Sequence, residues 1–211
     1  WIRLHYAYPS KFPMEILDVM RQRDNICNYL DMPLQHASDR MLTAMKRQIT
    51  RREMEELTAA IRATVPGICL RTTLIAGFPG ETRDDVEELK EFIQEQRFDR
   101  VGIFTYSHEE GTSGFLLNDD VPQEEKEARA QEVMDVQQEI SLELNQEKVG
   151  KTFKTIVDKK EAGRYLGRTE FDSVEVDNEV VIQGKNLPIG EFVNVKITKA
   201  YDYDLEGEVV K

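Results

Sequence analysis

Four groups of residues in this sequence have the types and spacing to do chemistry. The first is Gly77-Phe78-Pro79-Gly80-Glu81-Thr82, which follows the apolar run Thr73-Leu74-Ile75-Ala76. A glycine directly after a strand removes the side chain that would keep another group off the backbone. Pro79-Gly80 presets a turn, and Thr82 with Asp85 can cap a following helix. Two readings are open: a tight, capped strand-to-helix connection, or bare backbone and free N–H groups that hold a polar cofactor. No Gly-Lys-Ser/Thr follows, which argues against a nucleotide-triphosphate loop.

The second group is Gln35 and His36 past a strand end, with Arg47 at the end of the next helix. Gln35 and His36 can serve a loop that bonds its own backbone, and Arg47 can be a cation favoured at a helix C-terminus. The third is Arg71, inside an apolar strand, where burial demands a partner and an ion pair is the default. The fourth is Phe104 and Tyr106 on one strand face, which core packing would explain. The run Glu124-Glu125-Lys126-Glu127 reads as a solvated helix start. His5, His36 and His108 have no metal-ligand spacing, and there is no C-x-x-C or H-E-x-x-H. Cys27 and Cys69 sit among apolar neighbours and read as reduced, buried and structural. No metal site built from the chain's own residues is expected.

Alternating elements must position these groups. WIRLHYAY (1–8), NYLDMP (28–33), ICLRTTLIA (68–76) and DRVGIFTYS (99–107) read as strands. Between them, FPMEILDVMRQRD, DRMLTAMKR, RREMEELTAAIRATV and TRDDVEELKEFIQEQ carry helical spacing, and a long helix over 123–147 has its seam at Val133, Val136, Ile140 and Leu144. Strand–helix alternation predicts an α/β fold, an incomplete (β/α) barrel of parallel strands over residues 1–147. Ligands in such folds sit at the carboxyl ends of the strands, where the glycine turn lies. From 148 to 211 the pattern changes to five short β-branched segments, which predict a small antiparallel β-barrel.

The 211 residues carry a net charge of −12, which disfavours a long nucleic acid as passive partner. Residues 148–211 hold 11 basic and 12 acidic side chains against 17 and 28 in the remainder, so the acidity belongs to the first domain. No run approaches a membrane span, and a cytoplasmic location is expected. The chain opens on Trp1 directly into a strand-like segment, from which a longer parent protein is expected.

The segments YLDMPLQHASDRMLTAMKRQIT, LRTTLIAGFPGET and VGIFTYSHEEGT, with GRTEFDSVEVDNEVVIQG in the tail, resemble the radical S-adenosylmethionine methylthiotransferases. The tail resembles their TRAM domain, an OB-like barrel. Gln35-His36 is similar to the branch that modifies an aspartate of a small-subunit ribosomal protein; tRNA-modifying relatives carry Gln-Ser-Gly there. The resemblance implies S-adenosylmethionine as cofactor and two 4Fe–4S clusters in the full-length parent. It implies methylthio addition at the β-carbon of that aspartate by radical chemistry. It also implies that the TRAM domain meets the ribosomal protein, and it names no electron donor; the near-neutral tail and acidic first domain make nucleic acid the less favoured partner, while a tRNA methylthiotransferase of the same family and a binding module without chemistry stay open as alternatives. Matched residue by residue, Gln35, His36, Arg47, Arg71, Thr73, Gly77, Phe104 and Tyr106 form the cofactor-binding set. Arg47 would pair with the methionine carboxylate, Gly77 would permit close approach, and Phe104 or Tyr106 would flank adenine. The cysteine triplets that hold the clusters are absent here, as are two of six strand–helix units. The chain alone is therefore expected to be inactive, with no catalytic residue of its own assigned.

Overall fold

The computed structural model describes residues 1–210. Four apolar runs become the parallel strands β1 (Ile2–Leu4), β2 (Ile26–Asp31), β3 (Cys69–Ala76) and β4 (Arg100–Thr105), in spatial order β1-β2-β3-β4. The amphipathic segments between them become α1 (Glu15–Gln22), α2 (Asp39–Ala44), α3 (Arg51–Thr64) and α4 (Arg83–Gln96), and α5 (Gln123–Gln146) follows β4. Helix starts obey local chemistry. Thr50 and Glu53 cap α3 reciprocally, and Thr82 and Asp85 do the same for α4. Ser38 occupies the N-cap position of α2, but its side chain makes no capping bond.

The strand expected over 1–8 is shorter than its apolar pattern. Tyr6 takes φ 57°, a left-handed conformation that no strand continues through. Lys46, also at φ 57°, follows the early end of α2.

One large core lies between this sheet and its helices. Leu30, Leu70 and Leu74 from the strands meet Leu17, Leu42, Met54, Ile61, Val86, Leu89, Ile93, Val133 and Ile140 from the helices. Of the expected α5 seam, Val133 and Ile140 are buried, while Val136 and Leu144 are partly buried against the same core.

The second unit is a closed barrel of β5 (Thr152–Glu161), β6 (Arg164–Thr169), β7 (Val180–Gln183), β8 (Phe192–Ala200) and β9 (Leu205–Val210), in the order β5-β6-β7-β9-β8. Four of its pairings are antiparallel and β7–β9 is parallel, so the barrel is mixed rather than wholly antiparallel. The parallel pair arises because β8 intervenes in sequence and returns the chain to the far side of β7. Val157, Tyr165, Val180, Ile182, Val195, Ile197 and Leu205 fill its interior. A Cβ on Gly167 would lie 2.2 Å from the Ile156 carbonyl oxygen, so only glycine lets these strands approach so closely.

The units are joined along one face of the sheet. The β6–β7 connection lies across the side of the sheet away from the helices, where Phe171 packs on Cys27, Tyr29 and Cys69. Asn145 of α5 donates to the carbonyls of Tyr201, at 3.0 Å, and Tyr203, at 3.2 Å, and so ties the helix to the β8–β9 turn.

Candidate functional site

Strand alternation decides what the concave face presents. On β3, Leu70, Thr72, Leu74 and Ala76 are buried, while Arg71, Thr73 and Ile75 are half-buried on the other side. Gly102 and Phe104 of β4 share that side: a Cβ on Gly102 would lie 3.3 Å from Arg71 Nη2 and 3.8 Å from the Phe104 ring.

At the amino-terminal half of this face the second unit seals the sheet. Arg71 Nη1 donates to Asp31 Oδ1 at 3.0 Å, and its Nε stands 3.3 Å from Asp177 Oδ1. The ion pair expected for a buried arginine is therefore present, and one of its partners comes from the other domain. Tyr29 Oη donates to Asp177 at 2.7 Å; burial first, then that carboxylate, pushes the Tyr29 hydroxyl up. Arg100 pairs with Asp172 at 2.9 Å, both side chains buried. Burial opposes the Arg100 charge, and Asp172 outweighs it. Burial raises both the Cys27 and the Cys69 thiol, which keeps them protonated.

At the carboxyl-terminal rim two loops interlock. Gln35, at φ 78°, donates its N–H to Thr73 O and accepts from the Ile75 N–H, so the loop extends the sheet. His36 is fully buried. Its Nδ1 accepts the Ala37 and Ser38 N–H groups at 2.9 and 3.0 Å, and its Nε2 faces Glu81 Oε2 at 3.3 Å. Glu81 Oε1 accepts the Gly77 N–H at 2.9 Å and Arg129 Nη1 at 3.0 Å. Ser38 Oγ donates to Asp85 at 2.7 Å, and Arg40 bonds both Asp85 and the Gly80 carbonyl. Burial opposes ionisation of Asp85, but bonds from Thr82, Ser38 and Arg40 outweigh it and hold its carboxyl at about 2.

Gly77 has a different close neighbour from the one its position suggested. At φ 77° a Cβ there would lie 2.1 Å from Lys126 Cγ, so the chain's own lysine fills that approach. Lys126 is 3% exposed, and its ammonium reaches Asp119 at 2.7 Å and lies over the Tyr106 ring. It is thus not part of a solvated helix start: its aliphatic stem packs while its charge finds a carboxylate. Phe104 is 61% exposed, which overturns core packing as its explanation. Tyr106 stands edge-on to Phe78 at 5.0 Å, and its Oη lies 3.3 Å from His108 Nδ1.

Arg47 is half-buried, with Nη2 on the Pro33 carbonyl and the guanidinium over the Tyr8 ring at 4.6 Å. Its buried Nε has no hydrogen-bond partner, and among the described residues no carboxylate pairs with it. Burial lowers its pKa, with Tyr8 opposing. A guanidinium with a free donor and no acid is one that a carboxylate can complete.

Residues 1–93 match the model of the Radical SAM superfamily, and residues 149–210 match that of the TRAM domain. The chain carries a radical SAM segment and a TRAM domain. Over 210 residues it is 56% identical to the ribosomal protein uS12 methylthiotransferase RimO of Flavobacterium psychrophilum, covering 99% of this chain and 48% of that protein. It is also 56% identical to RimO of Cytophaga hutchinsonii, covering 100% of this chain and 49% of that protein. The chain thus spans about half the length of the curated relatives it matches. Among solved structures, the radical SAM enzyme coproporphyrinogen III oxidase of Escherichia coli superposes with a TM-score of 0.56 at 20% identity, covering 66% of this chain and 32% of that one. That likeness concerns the fold alone.

Two groups of residues that organise the radical SAM segment were not singled out by sequence reasoning. Glu81 was visible only as the acid ending a glycine turn, and Lys126 only as one charge in a run. The carboxylates of Asp31, Asp172 and Asp177 carry no sequence pattern, because their partners lie far along the chain.

Proposed function

We propose that this chain forms the cofactor-holding and substrate-docking half of a methylthiotransferase acting on an aspartate of a small-subunit ribosomal protein in the cytoplasm. The reading rests above all on 56% identity along the whole chain to proteins named uS12 methylthiotransferase. No helix among the described residues is long and apolar enough to cross a membrane.

The residues fit S-adenosylmethionine. Arg47, whose half-buried guanidinium bonds only the Pro33 carbonyl and pairs with no carboxylate among the described residues, would hold the methionine carboxylate. Gln35 and Thr73 would meet the amino acid and ribose portions, and exposed Phe104 with Tyr106 would flank the adenine. Arg71, bonded to Thr73 Oγ1 at 3.2 Å, orients that hydroxyl. Gly77 serves the turn by admitting Lys126 rather than by leaving its own backbone bare. When bound, S-adenosylmethionine supplies the sulfonium whose cleavage starts the radical chemistry. The chain's part is to orient it and to exclude water behind the rim.

The residues do not fit a 4Fe–4S cluster. The two cysteines are buried with raised thiol pKa, and no group of three His, Cys, Asp or Glu side chains with ligand geometry exists among the described residues.

Docking of the ribosomal protein is given to the TRAM barrel. The strongly acidic first domain favours a basic protein over a polyphosphate. Calorimetry with S-adenosylhomocysteine should show one site, and a pull-down at physiological salt should retain the ribosomal protein in preference to tRNA. Retention of tRNA alone would overturn the substrate, and no binding of the nucleoside would overturn the cofactor site.

A further inference from the structure

We infer that His36 is a positioning residue that locks the Gln35 loop to the Gly77–Glu81 turn and so sets the shape of the rim. It does not touch the cofactor. This deepens, and rests on, the reading of the rim as the S-adenosylmethionine site.

Burial comes first: His36 is 0% exposed, so no ligand reaches it without the rim opening. Its bonding fixes the tautomer. Nδ1 accepts two backbone N–H groups, at 2.9 and 3.0 Å, and therefore carries no proton; Nε2 carries it. Nε2 stands 3.3 Å from Glu81 Oε2, a contact short of hydrogen-bond geometry, and neither atom has a hydrogen-bond partner among the described residues, so the ring edge meets the carboxylate by close contact. The other Glu81 oxygen holds the Gly77 N–H and Arg129. The imidazole is thus a rigid spacer. One edge gathers the amides after Gln35, and the opposite edge meets the carboxylate that gathers the glycine turn. Arg129 supplies the cation beside Glu81, at 3.0 Å. A residue with only a donor or only an acceptor satisfies one loop and releases the other.

Two substitutions separate the edges. His36→Asn keeps an oxygen near the place of Nδ1 but falls short of Glu81. His36→Gln reaches toward Glu81 with an amide donor but leaves the Ala37 and Ser38 amides without their acceptor. Amide hydrogen exchange, residue by residue, reads the result, together with calorimetric affinity for S-adenosylhomocysteine. His36→Asn should speed exchange at the Gly77 and Glu81 amides about tenfold, an opening free energy lower by about 1.4 kcal/mol, while sparing Ala37 and Ser38. His36→Gln should give the reverse pattern. Both should weaken the nucleoside. If His36→Asn leaves Gly77 exchange unchanged, the link is refuted, the more so if affinity still falls, because the ring would then touch the ligand. If both exchange patterns hold but the native chain binds no nucleoside, the link stands and the cofactor site fails. Should either variant not fold, the other still reports on its own loop.

Discussion

Two halves of one sheet face are finished in different ways. At the amino-terminal half, every charged group brought in by Arg71 and Arg100 is matched by an aspartate, and two of those aspartates come from the TRAM domain. At the carboxyl-terminal half, Arg47 keeps a donor without an acceptor and Phe104 stands 61% exposed. Below that open rim the loops are as tightly bonded as the seam: His36, Glu81, Asp85 and Arg129 are all buried and interlinked. The sealed half shows what folding does when nothing else must bind. The open half shows a rigid support carrying a few groups without partners, the arrangement that a preorganised site requires.

The largest expected effect comes from breaking the seal. Asp172→Ala leaves Arg100, 6% exposed, without its carboxylate, and also removes the acceptor for the Thr169 N–H and hydroxyl. A buried charge stripped of its partner costs about 3–5 kcal/mol. Urea unfolding should show that loss, and Arg100→Met added to it should recover part of it. Phe104→Ala on the open half should change the same unfolding free energy by less than about 0.5 kcal/mol. Equal losses at both positions would erase the distinction between the halves.

Beneath the rim, Asp85 gives the next effect, through pH. Its carboxyl is held at about 2 when folded, against an ordinary 3.8, and its side chain is 6% exposed. A depressed acid stabilises the fold above its unfolded pKa, and that contribution is lost as the pH falls through its folded value. The contribution is about 2 kcal/mol. It should be fully present above pH about 5 and decay toward pH about 2. Asp85→Asn should flatten the stability profile in that window. A profile unchanged by the substitution would remove Asp85 from the support of the rim.

The halves also differ in how much of them the sequence discloses. Local rules reach the rim: the glycine turn, the Thr82–Asp85 cap and Gln35 past a strand end are all patterns within a few residues. The periodicity of β3 likewise gives the alternation that puts Arg71 and Thr73 on one face. The seal is invisible to such rules, because Asp172 and Asp177 lie in an irregular connection whose partners, Arg100 and Arg71, come much earlier in the chain, 72 positions before in the case of Asp172. Lys126 misleads for the same reason. Its sequence neighbours are charged, and only the fold brings Gly77 against its stem. The parallel β7–β9 pair is a matter of strand order, which alternation does not encode.

Arg47 separates support from site. Arg47→Met keeps much of the packing on Tyr8 and removes the free donor. Affinity for S-adenosylhomocysteine should fall about tenfold, or about 1.4 kcal/mol, while the unfolding free energy holds within about 0.5 kcal/mol. A drop in stability with affinity unchanged would make Arg47 part of the support and leave the open half without its anion-binding group.

The smallest effect lies outside both halves and calibrates them. The β5–β6 hairpin turns through two residues, Ala162 at φ 48° and Gly163 at φ 81°, between the paired Glu161 and Arg164. Both angles are those of the turn that suits the strand twist, for which asparagine and glycine are preferred. Alanine in a left-handed conformation is strained by its Cβ, whereas asparagine tolerates it. Ala162→Asn should therefore stabilise by roughly 0.5–1 kcal/mol. Because the hairpin touches neither the seam nor the rim, affinity for the nucleoside should stay unchanged. If affinity rises with this distant gain in stability, then binding at the rim follows global stability, and an affinity change after a rim substitution can no longer be read as a local event.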